Sequence, residues 1–391
     1  MKIAILVERM LPGAMPKVVG VQARYLTKLG HQVEVLCIME GGLPPESYQF
    51  GEFLDGISIR ELSRESPLAG KLSFKLPLFA FFSAYHLTGP LFVPRLIKRR
   101  EYDIILALGS LTALTAHALW RRRQIPYATF HWDPASYIVP KLYSHRLPKF
   151  AFKLLLKVAT RLDRFVVENS LVTLTTSQPN ADLLRSLARK GNVEVVPMGC
   201  FPLKEIPDQR GDYLLTIERW DRGNTPHILL EVVQSLSHEV DLLVAGFWSE
   251  DWIRKSFMKS IEERGLGNRV KVLGPVSEDE LGKLYLNARA WIHPRAEPSV
   301  ITMPMLEAAT HGCPIVIPKL NREDASSPFI HGVHAFFPAE GDIKGYVECV
   351  DRLVCDERLA WKMGHEAWQV AKEHSWESHV TKIENIIKEY V

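Results

Sequence analysis

Residues 1–37 read MKIAILVERMLPGAMPKVVGVQARYLTKLGHQVEVLC. The run KIAILV is almost wholly apolar, which suits a strand buried on both faces rather than one with a solvated side. Residues 17–29 then place apolar side chains at helical spacing and stop at Gly30, the residue type that most easily closes a helix. HQVEVLC follows as a second strand. Strand, helix, strand in so short a stretch is the unit of a parallel sheet, because parallel neighbours need a crossover and a helix is the usual one.

The alternation continues outward from this unit. ISIREL, YDIILAL, PYATFH, RFVVE, VTLTTS and VEVVP are further strand candidates up to about residue 197, most of them separated by helix-type segments. Residues 198–212, MGCFPLKEIPDQRGD, contain two prolines, two glycines and no sustained period, which marks a linker. The pattern then restarts with YLLTIE, DLLVAG, VKVLG, AWIHP and CPIVIP, alternating with helices near 225–237, 250–265, 278–288 and 302–311. Helical stretches at 342–354, 357–373 and 375–390 close the chain, the last opening with Ser-Trp-Glu-Ser as an N-cap turn. The expected fold class is therefore α/β, with doubly wound parallel-sheet domains over residues 1–199 and 200–374. Ligands of such sheets sit beyond the carboxyl ends of the strands, so two domains facing each other would frame a divided substrate.

Composition narrows the function classes. With 47% hydrophobic and 24% charged residues in 391, the chain is not mainly disordered, and its 25 prolines and 24 glycines follow no repeat. Cys37, Cys200, Cys313, Cys349 and Cys355 are odd in number and show no CxxC or Cys/His metal spacing, which points to a reducing, cytoplasmic compartment. The opening apolar run is too short for a signal peptide. Net charge is +3, but through Gly199 there are 26 Lys and Arg against 15 Asp and Glu, and afterwards 22 against 30, so the halves carry +11 and −8. A basic half suits an anionic membrane surface or substrate, although solvated helix faces give the same count. Nucleic acid is not expected as a partner, since no binding motif accompanies the charge.

Residues 76–94, LPLFAFFSAYHLTGPLFVP, carry no formal charge and lead into Arg95, Lys98, Arg99 and Arg100. Pro77, Gly89, Pro90 and Pro94 argue against a transmembrane helix. Either this surface dips into the headgroup layer of a membrane, or it is a buried helix with a turn at Gly89-Pro90. Lys141, Arg146, Lys149, Lys153 and Lys157 recur three to five residues apart and line one face of a second helix.

Residues 293–318, HPRAEPSVITMPMLEAATHGCPIVIP, resemble the hallmark of glycosyltransferase family 4 through Pro304, Leu306, Glu307, Ala308, Gly312, Pro314 and Val316. LLTIERWDRGNTPHILLE resembles that family's first strand and phosphate-binding segment, and VKVLGPVSEDELGKLYLNARAWIHP its base-binding region. The N-terminal half is similar more loosely, in the MKIAIL strand, the Pro12-Gly13 loop, LGHQVEVL, FHWDP and VEVVPMG. The resemblance implies a GT-B fold of two facing Rossmann-like domains, with residues 375–391 crossing back to the N-terminal, acceptor-binding domain. It also implies a retaining hexosyltransferase that uses a nucleotide-diphosphate sugar and requires no cofactor or metal. Joined to the charge split, it leads to the expectation of a glycan or lipid-linked acceptor held by the basic N-terminal domain, peripherally at the inner membrane face.

A departing nucleoside diphosphate needs positive charge and backbone amides at its phosphates. By the resemblance, Arg219 is the arginine that meets them, with Arg222 nearby. The family's lysine position holds Asn224. That exchange forfeits a charge-assisted contact of roughly 1.5 to 3 kcal/mol, about one to two orders of magnitude in leaving-group stabilisation. The family spaces two glutamates by a fixed interval before the helix; here Ser299 stands at the earlier place and Glu297 two residues sooner. Either Glu297 still reaches the sugar hydroxyls, or Ser299 faces the site. Glu307 corresponds to the carboxylate that accepts from a ribose diol. Thr302 and Met303 would offer backbone amides to the diphosphate, Val276 its backbone near the base, and Gly13 room for the first loop. His131, ending the strand in FHWDP, corresponds to a histidine that touches the transferred sugar, and Asp133 lies beside it. Because Asn224 and Ser299 both depart at donor-contacting positions, a noncatalytic binding or partner subunit on the same scaffold is the competing reading. An epimerase or phosphorylase of this fold is a third.

Overall fold

In the computed structural model, two wholly parallel sheets account for every strand of the described residues. These are residues 1–10, 14–39, 51–66, 84–144, 147–208, 210–221, 225–294, 302–319 and 327–391. The first sheet contains β1 (Lys2–Val7), β2 (Gln32–Cys37), β3 (Ile59–Glu61), β4 (Ile104–Leu108), β5 (Tyr127–His131), β6 (Thr173–Thr175) and β7 (Val193–Val195), in the order β3-β2-β1-β4-β5-β6-β7. The second contains β8 (Tyr213–Ile217), β9 (Asp241–Ala245), β10 (Val270–Gly274), β11 (Ala288–Ile292) and β12 (Ile315–Val316), in the order β10-β9-β8-β11-β12. Strand order reverses beside β1 in one and beside β8 in the other, so the switch points fall at β1/β4 and β8/β11. The central strands β1, β4, β5, β8 and β11 are buried along nearly their full length, which is why they read as continuous apolar runs.

The helices of the first half are α1 (Ala14–Lys28), α2 (Ala84–Leu96), α3 (Thr112–Arg123), α4 (Ala135–Tyr143), α5 (Lys149–Asn169) and α6 (Gln178–Leu187). Those of the second are α7 (His227–Ser235), α8 (Asp251–Glu263), α9 (Glu278–Asn287), α10 (Met303–Thr310), α11 (Ile343–Cys355), α12 (Glu357–Glu373) and α13 (Trp376–Lys388). The chain divides into Met1–Pro197 with His379–Val391, and Met198–Ser378.

Two local expectations are corrected. RFVVE is the last part of α5, not a strand: Leu155, Ala159, Leu162, Val166 and Val167 form one buried helical face. Tertiary burial outweighs the strand preference of the two valines. The chain also does not turn at Gly89-Pro90, because α2 runs through both. A Cβ at Gly89 would lie 2.7 Å from Thr115 Oγ1, so the glycine lets α2 approach α3 closely. Residues 67–83, with the first eight residues of the uncharged stretch, lie outside the described residues.

The C-terminal residues belong to the first unit by specific bonds. On α13, Val380, Ile383 and Ile387 are buried, His379 Nδ1 bonds Pro197 O at 2.7 Å, and Gln22 Nε2 lies 3.1 Å from His379 Nε2. Glu384 Oε1 is 2.7 Å from His31 Nε2, and Asn192 Nδ2 donates to Tyr390 Oη at 2.7 Å. In the second unit, Gly312 closes α10 at φ +62° and its carbonyl lies 1.9 Å from where a Cβ on Gly364 would stand. Only glycine on α12 lets the helix carrying Glu307 seat this closely.

Candidate active site

At the carboxyl edge of the first sheet, His131 is the last residue of β5 and is 1% exposed. Its Nδ1 lies 3.0 Å from Ser110 Oγ, just beyond β4, and that hydroxyl donates to Asp163 Oδ1 at 3.2 Å. The Asp163 carboxylate also accepts the Ala135 N–H at 3.0 Å and the Ser136 N–H at 2.7 Å, closing the amino end of α4. A hydroxyl that gives its proton to a carboxylate has only lone pairs left for the imidazole. His131 therefore carries its proton on Nδ1 and presents Nε2 as an acceptor. That Nε2 is buried and has no partner among the described residues. Burial pushes the His131 pKa down to about 4, so the ring is neutral near pH 7. Burial also raises the Asp163 carboxyl above the usual range, while bonds from Ser136, Ala135 and Ser110 pull it back. Beside this group, Asn180 Nδ2 donates to Trp132 O at 2.7 Å and to Asp133 Oδ1 at 3.1 Å.

The second sheet's switch point brings the ends of β8 and β11 together. Glu218 and Arg219 follow β8, His293 follows β11, and His293 Nε2 stands 3.5 Å from Glu218 Oε1. Trp220 anchors this turn: it is fully buried, its Nε1 donates to Ala245 O at 2.8 Å, and its backbone pairs with the 247–249 segment. Arg219, between half-buried Glu218 and buried Trp220, keeps an exposed guanidinium 3.1 Å from Asp221 Oδ2. Gly246 closes the floor with φ +110°, and a Cβ there would lie 1.9 Å from Glu218 O.

Thr302 caps α10, its Oγ1 accepting the Met305 N–H at 3.3 Å. Pro304 has no N–H, so the donors of this first turn reduce to Met303 and the helix dipole. Met303 N–H has no acceptor among the described residues. Glu307 lies one turn further along, half-buried, on a helix positioned by Tyr285, whose hydroxyl donates to Pro304 O at 3.3 Å and whose ring stacks on His311. Burial, first of all, and then the charges of Glu307 and Glu218 among others raise the Tyr285 phenol, so both carboxylates act on one buried ring. Val276 is half-buried in the turn before α9, next to the Ser277–Glu280 capping box.

Of the predicted site residues, His131 ends β5, Asp133, Arg219 and Val276 lie in the turns after β5, β8 and β10, and Thr302, Met303 and Glu307 lie at the cap and in the first turns of α10. Gly13, Arg222, Asn224, Glu297 and Ser299 lie outside the described residues. Glu218, Ser110 and Asp163 were not singled out from the sequence. Asp163 did leave a signal, as an acid beside the apolar positions of α5. No cluster of three or more His, Cys, Asp or Glu side chains suited to a metal ion occurs among the described residues.

Solved structures similar to this chain include HepE of Anabaena in complex with UDP and glucose, at 16% identity, TM-score 0.73 and full coverage of both chains. Sucrose-phosphate synthase from Thermosynechococcus elongatus is similar at 16% identity and TM-score 0.71, covering 100% of this chain and 99% of that one. The lipopolysaccharide outer core galactosyltransferase WaaB is similar at 15%, 0.68 and full coverage of both. At these identities the likeness is one of fold. No curated protein sequence matches the chain. Together with two family-model matches, the fold makes this chain a glycosyltransferase of the GT-B class. The matches are Glycosyltransferase Family 4 over residues 16–200 and Glycosyl transferases group 1 over residues 204–370.

Proposed function

We propose that this protein transfers a hexose, with retention of configuration, from a nucleotide-diphosphate sugar to a glycan or lipid-linked acceptor. The observation that carries the reading is the switch point of the second sheet, where Glu218 and Arg219 follow β8, His293 follows β11 with its Nε2 3.5 Å from Glu218 Oε1, and the Tyr285 hydroxyl holds the first turn of the Glu307 helix. In this reading Arg219 and the amino end of α10 at Thr302 and Met303 take the charge of the diphosphate. Glu307 accepts from the ribose diol and Val276 borders the base. Glu297 or Ser299 holds the sugar hydroxyls, and Arg222 and Asn224 add donors at the phosphates. His131, as an Nε2 acceptor, receives a hydroxyl of the transferred sugar, with Asp133 alongside.

The bond from the anomeric carbon to the phosphate oxygen breaks as the acceptor oxygen bonds to the same face. The acceptor proton passes to the leaving phosphate. No enzyme nucleophile is used and no divalent ion is required. The acceptor belongs to the basic first unit.

Thermal unfolding with UDP, GDP, ADP and their sugar conjugates tests this directly. A nucleotide at about 100 times its dissociation constant adds roughly 2.7 kcal/mol, a shift of a few degrees. The shift is expected for one base and absent in Glu307→Ala. Stability unmoved by every nucleotide would overturn the reading in favour of a scaffold that no longer binds donor.

A further inference from the structure

The α5 helix carries a face that no other described element covers. Phe150, Leu154 and Val158 are 76%, 63% and 41% exposed and stand four residues apart, in one column along the helix. Lys149, Lys153, Lys157 and Arg161 form the adjoining column, all exposed, and none makes an ion pair among the described residues. No acidic residue occurs in α5 before Asp163, which is buried. The opposite face is ordinary core, with Leu155, Ala159 and Leu162 packed with Val139 and Tyr143 of α4.

The position of this face follows from Asp163. That residue bonds Ser110, just past the end of β4, so it is level with the carboxyl edge of the sheet. The chain of α5 then runs towards β6 and the amino edge. The fifteen residues from Lys149 to Asp163 therefore span about 21 Å of helix, at 1.5 Å per residue, on the carboxyl-edge side of Asp163. Another basic group, Arg121, Arg122 and Arg123 at the end of α3, sits just before β5 and so at the amino edge.

We infer that the projecting part of α5 seats the protein on an anionic lipid bilayer, with Phe150, Leu154 and Val158 entering the headgroup layer and the lysine column meeting lipid phosphates. Charge complementarity selects the occupant: four cations without an acid suit an anionic partner, and the exposed apolar column suits hydrocarbon rather than a polyanion. The seat deepens the reading of a lipid-linked acceptor and rests on it only for its purpose, since it brings the carboxyl edge of the first sheet, rather than the amino edge, to the membrane.

The test is co-sedimentation of the full chain with vesicles of phosphatidylcholine alone and of phosphatidylcholine with 30% phosphatidylglycerol as a probe, at low and high salt. Retention is expected on the anionic vesicles only and should fall with salt. Each basic residue near a charged surface is worth about fivefold in partitioning, so Lys153→Glu with Lys157→Glu should lose at least about 30-fold. Phe150→Ser with Leu154→Ser should lose about tenfold or more. Arg121→Glu with Arg122→Glu should change it by less than about threefold. Unaltered circular dichroism shows that the exposed substitutions leave the fold intact. Equal retention on neutral vesicles, no retention, or indifference to both α5 variants would overturn the seat. So would concentration-dependent dimerisation lost in the Phe150/Leu154 variant, which would assign the face to a second copy, or tighter retention on duplex RNA than on vesicles. The nucleotide-induced shift in melting, measured on the same variants, is expected to persist. Its presence without vesicle binding refutes the seat alone, and its absence with vesicle binding refutes the transferase reading alone.

Discussion

Replacing Asp163 by asparagine exchanges one oxygen for an amide group at almost constant volume, at a site where three donors converge. Oδ1 accepts from Ala135 N–H at 3.0 Å and Ser110 Oγ at 3.2 Å, and Oδ2 from Ser136 N–H at 2.7 Å. Asparagine has a single acceptor oxygen. Turned towards Ala135 and Ser110, it keeps two bonds and sets its NH₂ against the Ser136 N–H; turned the other way, it keeps one. The better arrangement loses one charge-assisted bond, about 1.5 to 3 kcal/mol, and leaves a buried donor unmet. Relief of burying the charge offsets part of this, because burial already raises the carboxyl. The net expectation is about 2 kcal/mol, against about 3 to 5 for Asp163→Ala, which removes every acceptor. Urea unfolding, followed through a probe in the first unit, measures both. Nitrogen NMR of labelled histidine reads the ring: Nδ1 should be protonated in the native protein, and Ser110→Ala should release that preference. An Asp163→Asn protein within about 0.5 kcal/mol of the parent would refute the reasoning. So would a native His131 protonated on Nε2.

The pH dependence has a defined sign. His131 and His379 are both pushed down to about 4 by burial, below the ordinary 6.5, so the unfolded chain takes up these protons first. Their contribution is complete above about pH 6.5 and is lost as pH falls towards 4, at about 1.4 kcal/mol per pH unit for each ring. Urea unfolding at pH 7, 6 and 5 should show this slope, and it should be shallower in His131→Gln and His379→Gln. Gly246→Ala combines φ +110° with a Cβ 1.9 Å from Glu218 O and should cost about 3 kcal/mol and the nucleotide-induced shift. Gly30→Ala, at φ +88° with open space around it, should cost only about 1 kcal/mol; equal losses would show that crowding at Glu218 is not the cause. Transfer measured with and without EDTA should proceed at the same rate; a loss restored by added divalent ion would remove the metal-free mechanism.

Much of the architecture was legible because buried parallel strands leave a strong mark. KIAILV, YDIILAL and DLLVAG needed no pairing information to be read, and Gly30 marked the end of α1. RFVVE was misread because two adjacent valines have the same composition in a strand and on a helix face, and only the neighbouring α4 decides between them. Glu307 is read through the resemblance of residues 293–318, and the structure sets it on α10 one turn after the Thr302 cap. Glu218 and Ser110 gain their meaning from strands distant in sequence: β11 brings His293 to Glu218, and β5 brings His131 to Ser110. No spacing within one segment encodes such a meeting.

The bonds of His379, Glu384 and Tyr390 to the first unit have a consequence for biosynthesis. A ribosome completes residues 1–197 and then makes about 180 more, roughly 10 to 35 s at ordinary elongation rates, before the helix that covers Gln22 and His31 is made. For that interval the nascent first unit lacks its final layer and exposes the surface that Val380, Ile383 and Ile387 later bury. A premature stop at codon 379 would therefore damage the part of the protein translated first.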